Sequence, residues 1–267
     1  MEIIIIVLIT ILGLILGSFY GCMGYRIPNK ISVTASRSFC NECGKTLKWY
    51  MNIPVFSYIF LKGRCHYCKK PIDFVYPFVE ITCALLFLCN YLMFGFTLNF
   101  FIATILTSIL MVTIVSDFLY YYISDRVLVL GGISLIVVLS IFLDMSLVFS
   151  RIINGAILFM LLLGIKILGN YMFKKESLGD GDIKLMGVIG IALRSSELGF
   201  YNIILGTMSS FVALFIASII GLIFSVIIHK KNKEGIIPFG PFLLIGALIV
   251  LYFEPIIMPF IKNIINI

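Results

Sequence analysis

"IIIIVLITILGLILG" (residues 3–17) runs for fifteen residues with no charge and a single hydroxyl. A strand of a membrane barrel alternates lipid-facing and lumen-facing positions and reads apolar and polar by turns. This stretch does not alternate, so it belongs to a membrane-spanning helix, which needs about 20 apolar residues. Runs of the same kind occur near 3–25, 74–96, 98–116, 127–143, 152–173, 183–195, 200–228 and 236–256. The fold class expected is therefore an all-α polytopic membrane protein. Composition agrees: 61% of the 267 residues are hydrophobic and 12% charged, with mean hydropathy +1.13. A soluble core of this size cannot hide that much apolar surface.

The first run can pass for a signal peptide, but it carries Glu2 in place of a basic start and no small-residue cleavage site before Arg26. It reads as a retained span. Between Arg26 and Asp73 lie nine Lys or Arg and two acids, and further basic clusters occur at Lys174 and Lys175 and at Lys230, Lys231 and Lys233. The positive-inside rule puts all three in the cytoplasm. The net charge of +7 is thus a topology signal and not a nucleic-acid surface. The sixth run is short: thirteen helical residues rise about 20 Å against a hydrocarbon core of about 30 Å. If it did not cross, the next span would carry "HKKNKE" (229–234) outside. Eight spans with both termini outside are expected, dividing the chain into a first helix (1–25), a cytoplasmic insert (26–73) and a seven-helix unit (74–267). Segments 26–73, 117–126, 174–182 and 229–237 then share the cytoplasmic face.

Ionisable groups at membrane depth cost roughly 2.5 to 3.5 kcal/mol on insertion scales. Asp117 follows "ILMVTIVS" (109–116) and ends the third span; Asp182 opens the sixth, after Gly179, Asp180 and Gly181. The topology brings both to one level on one side. Two facing carboxylates, one protonated and one ionised, can activate a water while donating a proton to a carbonyl oxygen, which is aspartic peptidase chemistry. Gly179 and Gly181 would let backbone pass close to an extended substrate. Taken singly, each acid has an ordinary alternative: Asp182 as a helix cap and Asp117 as an interfacial charge beside Arg126. Glu176, Asp180 and Asp125 read as solvated loop charges. Lys184 and Lys166 either neutralise an acid or snorkel to the interface, with snorkelling the default. "IPFGPF" (237–242), with Pro238 and Gly240, breaks helix geometry at the mouth of the last span; it is either a strand-like substrate contact or a helix-start turn with Pro near its first position.

Four of the seven cysteines form two Cys-x-x-Cys pairs, Cys40 with Cys43 and Cys65 with Cys68, twenty-one residues apart. That is the spacing of a four-thiolate structural zinc site of ribbon or knuckle type, the alternative being reduced structural thiols. So short an insert has little core of its own, and a metal would fix it. Gly44 permits the tight turn after the first pair, and His66 reads as a bystander. Cys22, Cys83 and Cys89 lie in or near apolar runs and read as packing residues. Trp49, Tyr50, Phe56 and Tyr58 either pack the insert or seat it on the membrane.

In order and spacing, "GSFYGCMGYRIP" (17–28), "SFCNECG" (38–44), "NIPVFSY" (52–58), "GRCHYC" (63–68), "YPFVE" (76–80), Asp117, "ESLGDGDIKL" (176–185) and "IPFGPF" resemble the type IV prepilin leader peptidases, membrane aspartic peptidases with a Gly-x-Gly-Asp motif. The resemblance covers nearly the whole chain. It implies a bacterial plasma-membrane enzyme whose Asp117 and Asp182 cut the short basic leader from prepilin or pseudopilin precursors at the cytoplasmic face. It also implies N-methylation of the new terminus with S-adenosylmethionine, an activity associated with the insert. Gly21, Asn41, Met51 and Ser124 depart from the usual pattern, and none touches the acid pair. Two other readings compete: a peptidase without methyl transfer, and a transport or assembly component whose acids form an ion path. The second would need carboxylates deep within spans, where Glu80 is the main candidate.

Overall fold

The computed structural model describes residues 2–34, 37–174, 178–193, 200–228 and 238–265. Among them the chain is helical without strands: α1 (Glu2–Arg26), a 3-10 turn (Trp49–Asn52), α2 (Phe56–Phe60), α3 (Val75–Phe94), α4 (Leu98–Tyr120), α5 (Asp125–Phe142), α6 (Met145–Phe173), α7 (Asp180–Ala192), α8 (Phe200–Ile228), α9 (Gly240–Tyr252) and α10 (Glu254–Ile265). Six helices, α1, α3, α4, α5, α6 and α8, are long and apolar enough to cross a membrane; α9 and α10 would together make a seventh, bent by 86°. The expected single run 236–256 is thus interrupted. It breaks at Phe253, ahead of Glu254 and Pro255, and α10 is an element that the apolar pattern does not announce.

Burial sorts these helices by role. α4 packs against α1, α3, α5 and α9, and most of its length is enclosed. α7 and α9, thirteen residues each, are also enclosed, α7 by α5, α6, α8 and α9 and α9 by α4, α7 and α8. A 13-residue helix is about 20 Å long. Because neighbouring protein and not lipid covers their flanks, neither has to match the bilayer thickness. The long outer helices carry the lipid-facing residues, such as Ile3, Leu8, Val137 and Phe215, all exposed.

Lipid tails are as apolar as leucine, so helix contact in a membrane relies on close packing rather than on expulsion of water. α1 supplies that closeness with Gly13, Gly17, Gly21 and Gly24, all buried on one face. A Cβ at Gly17 would lie 2.8 Å from the Glu80 Cα of α3, one at Gly13 2.7 Å from the Ala84 Cα, and one at Gly24 2.5 Å from the Val115 Cβ of α4. α6 and α7 make a similar approach at Gly155 and Gly190, where a Cβ on Gly190 would meet the Gly155 Cα at 2.8 Å. Polar side chains inside the bundle find partners across helices: Tyr20 donates to Ser108 (2.9 Å), Asn90 to Thr107 (3.3 Å) and Asn154 to the Gly190 carbonyl (2.7 Å).

The α1–α3 contact also fixes the insert, whose two ends are the last turn of α1 and the first of α3. Gly17→Leu should therefore lower stability by about 1–3 kcal/mol through overpacking. Gly164, with nothing within 4 Å of its would-be Cβ, is the internal control: Gly164→Leu should leave thermal unfolding in detergent unchanged, and equal melting of both variants would refute this packing.

Candidate active site

α4 continues past the expected end of the third span and stops at Tyr121, which takes left-handed angles (φ 49°, ψ 42°) and donates its N–H to the Asp117 carbonyl at 2.9 Å. Asp117 therefore sits inside the last turn of α4 and not beyond it, with only 5% of its surface exposed. Its Oδ2 accepts the backbone N–H of Gly240, the first residue of α9, at 3.1 Å. Helix N-termini present unpaired N–H groups and the positive end of the helix dipole, so this is a favourable place for a carboxylate.

The second acid arrives on α7. That helix starts at Asp180 rather than at Asp182, and Gly179 caps it without a side-chain hydrogen bond. Asp182 lies in its first turn, within electrostatic reach of Asp117. Its Oδ1 is buried with no hydrogen-bond partner among the described residues. Leaving a buried acceptor unpaired costs free energy, and such groups are kept where they have a task. The side chain of Ile123, between α4 and α5, is what joins these pieces. A Cβ at Gly181 would lie 2.7 Å from the Ile123 Cβ, and one at Gly240 2.7 Å from its Cδ1. The N-termini of α7 and α9 thus close on one isoleucine, which brings Asp117 and Asp182 together.

This geometry gives the glycines an internal reason to be glycine. The space at Gly181 is filled by Ile123, and at Gly179 a Cβ would lie 3.0 Å from Oδ2 of Asp182. Gly240 gives its N–H to Asp117. In "IPFGPF", Pro238 is buried just ahead of α9, Pro241 lies in that helix's first turn, and residue 237 lies outside the described residues.

The lysines do not snorkel freely. Lys166, buried in α6, bonds Asp180 Oδ1 at 2.7 Å and ties α6 to the start of α7. Asp180 is therefore an ion-paired helix residue rather than a loop charge. Lys184 meets both oxygens of Asp125 at 2.7 and 2.8 Å, linking α7 to the start of α5. Both lysines thus brace the frame around the acid pair. Glu176 lies outside the described residues. Sequence reasoning missed Ile123, since nothing distinguishes one more apolar residue, and missed the Gly240 N–H, since a backbone donor leaves no trace in residue type.

In the insert, one sulfur from each of Cys40, Cys43, Cys65 and Cys68 lies within 4.8 Å of the other three, and Cys40 and Cys68 are 3.9 Å apart. Four ligands at about 2.3 Å around a tetrahedral zinc stand about 3.8 Å from one another, so the residues present fit that ion. Two equivalent turns build the cluster. Gly44 N–H bonds the Cys40 carbonyl at 2.8 Å and Lys69 N–H the Cys65 carbonyl at 3.0 Å, with both Gly44 and Lys69 at positive φ. Single bridges, Phe39 with Thr46 and Arg64 with Pro71, close the turns in place of the strands of a full ribbon. Burial pushes the Cys40 thiol up to about 11. At Cys65 burial is outweighed by the backbone N–H groups of Cys68 and Tyr67 and by the neighbouring thiols, and the group falls to about 7. A thiol of that kind readily becomes the thiolate that a metal requires.

Comparison with known proteins finds relatives along most of the chain. Residues 11–94 match the model described as "Bacterial Peptidase A24 N-terminal domain", and residues 104–226 match "Type IV leader peptidase family". A "Prepilin leader peptidase/N-methyltransferase" of Bacillus subtilis (strain 168) is 30% identical over 96% of this chain and 97% of its own length. The protein of the same name from Vibrio cholerae is 29% identical over 94% of this chain and 98% of its own length. A "Type 4 prepilin-like proteins leader peptide-processing enzyme" of Escherichia coli is 29% identical over 93% and 94%. No solved structure matches. With two family models side by side and a 30%-identical relative matched almost end to end, the chain belongs to the type IV leader peptidase family.

Proposed function

We propose that the chain is a membrane aspartic endopeptidase that removes the short basic leader from type IV prepilin or pseudopilin precursors, with Asp117 and Asp182 as its catalytic pair. The observation that carries this reading is the pairing of a buried carboxylate on α4 with a second on the first turn of α7, held by Ile123 at the mouths of two helices. In the reaction one carboxylate is ionised and draws a proton from a water, whose oxygen attacks the scissile carbonyl carbon. The other, protonated, donates to the carbonyl oxygen. As the resulting diol collapses, the C–N bond breaks and the leaving nitrogen takes up a proton. The Gly240 N–H orients Asp117, and Lys166 and Lys184 keep the first turn of α7 in place.

The site opens on the cytoplasmic face of the bacterial plasma membrane. The nine basic residues between Arg26 and Asp73 support that orientation, and a crossing by the protein-covered α7 completes eight spans. The insert (26–73) forms a unit fixed by structural zinc on Cys40, Cys43, Cys65 and Cys68. It is associated with a second activity, methylation of the new N-terminal amine, for which S-adenosylmethionine supplies a methyl group bonded to positively charged sulfur. The names of the Bacillus subtilis and Vibrio cholerae relatives support this half of the reading.

Three outcomes are expected. Asp117→Asn and Asp182→Asn should each reach the membrane at normal levels yet slow leader removal by about 10³-fold or more, scored by the shift of a co-expressed precursor on a gel; full processing by either variant would sink the pair. Purified protein should carry one zinc per chain by elemental mass spectrometry, and Cys65→Ser should lose it; wild-type protein free of metal would leave only reduced thiols. Mass spectrometry of the mature substrate should find one added methyl group on its N-terminus, whereas a bare amine would reduce the enzyme to a peptidase.

A further inference from the structure

A cavity of about 560 Å³ lies between the insert and the cytoplasmic ends of α1, α3 and α4, within the range of roughly 300–1,000 Å³ usual for small-molecule sites. Neither Asp117 nor Asp182 lines it. Four tyrosines do, Tyr25, Tyr58, Tyr76 and Tyr120, with Tyr25 and Tyr120 meeting edge-on at 6.3 Å between ring centres. The lining residue furthest along α3 is Glu80, which is 9% exposed.

The charges around this cavity are unevenly committed. Glu42 is held by Lys70, and Asp73 takes the N–H of Val75 at 3.0 Å. Arg26 donates to the carbonyls of Ser32, Val33 and Arg37 and covers the Phe39 ring. Glu80 accepts the Val55 N–H at 2.7 Å, but among the described residues no lysine or arginine pairs with it. A carboxylate has about four acceptor sites, so this one donor leaves capacity at a residue that lines the cavity. Val55 itself is strained. A β-branched residue at φ 63° and ψ −51°, it is the centre of a three-residue turn closed by Phe56 N–H on the Pro54 carbonyl at 2.6 Å. Left-handed β-branched residues are rare, and such strain collects at ligand sites.

A buried carboxylate without a cationic partner, beside tyrosine rings whose faces attract positive charge, suits a cation carried on an organic body of nucleoside size. We infer that this cavity binds S-adenosylmethionine, with Glu80 and the tyrosines recognising its sulfonium charge. The inference rests on the methyl-transfer reading above and gives that activity a place. In the transfer the amine lone pair forms an N–C bond and the C–S bond breaks, its electron pair staying on sulfur as a neutral thioether, while the new ammonium loses a proton. The ligand thereby loses the charge that Glu80 recognises, which favours release of the product.

Cys22, a free thiol, lines the cavity, and Cys89, further along α3, does not. In zinc-loaded full-length protein in nanodiscs, S-adenosylmethionine should slow alkylation of Cys22 several-fold and leave Cys89 unchanged, as read by peptide mass spectrometry. In equilibrium binding, Glu80→Gln should weaken S-adenosylmethionine about tenfold and remove its advantage over neutral S-adenosylhomocysteine. Because Glu80 also holds the Val55 turn, the labelling on the unsubstituted chain decides if that variant misfolds. Binding and methylation without protection of Cys22 would put the donor elsewhere and overturn the inference while methyl transfer stands. No binding together with an unmethylated product would overturn the methyl-transfer reading and this inference with it.

Discussion

The hydrogen bond from the Gly240 N–H to Asp117 constrains more of this structure than any other contact. A carboxylate buried in the last turn of a membrane helix needs a donor, and the donor here is the first backbone N–H of another helix. That requires α9 to begin at the level where α4 ends, and to run antiparallel to it through the centre of the bundle. Because Gly240 and Gly181 both rest on Ile123, the start of α7 is set at the same level. Two helix N-termini thus converge on one pair of acids, and their dipoles place positive ends where negative charge is kept. The short length of α7 and α9 follows from the same arrangement, since helices that begin inside the protein need not traverse the full bilayer.

The framework of long helices was legible in the sequence because lipid-facing helices must be continuously apolar. α1, α3, α5 and α6 are expected to within a turn or two, and lipid is the reason. Inside the bundle that rule fails. The apolar run from 236 to 256 looks like one span, yet the chain turns by 86° between α9 and α10; hydropathy reports burial in something apolar and is blind to direction. Lys166 illustrates a different limit. A lysine within a span predicts snorkelling, but its partner Asp180 stands fourteen positions away on another helix, and only the packing of α6 on α7 joins them.

The site was legible in its residue types and obscure in its geometry. Charge bias in the loops predicts Asp117 and Asp182 on one side of the membrane, which is topology and not distance. What sets their distance is Ile123, an apolar residue among many, and a backbone amide that any residue but proline supplies. The cysteine cluster was the reverse case. Cys-x-x-Cys spacing implies a local turn whatever the wider fold, so its geometry follows from sequence almost directly. Only the closing bridges, single where a ribbon would have strands, required the structure.

The two family-model matches leave residues 95–103 between them, the turn from α3 to α4 and the first residues of α4, and that seam in sequence is not a seam in space. Thr107 of α4 is fully enclosed and takes its hydrogen bond from Asn90 of α3; Ser108 receives one from Tyr20 of α1. In hydrocarbon neither Asn90 nor Tyr20 has water to fall back on. Severing the chain at this seam would strand polar groups on both fragments, so the two halves are modules of inheritance but not of folding.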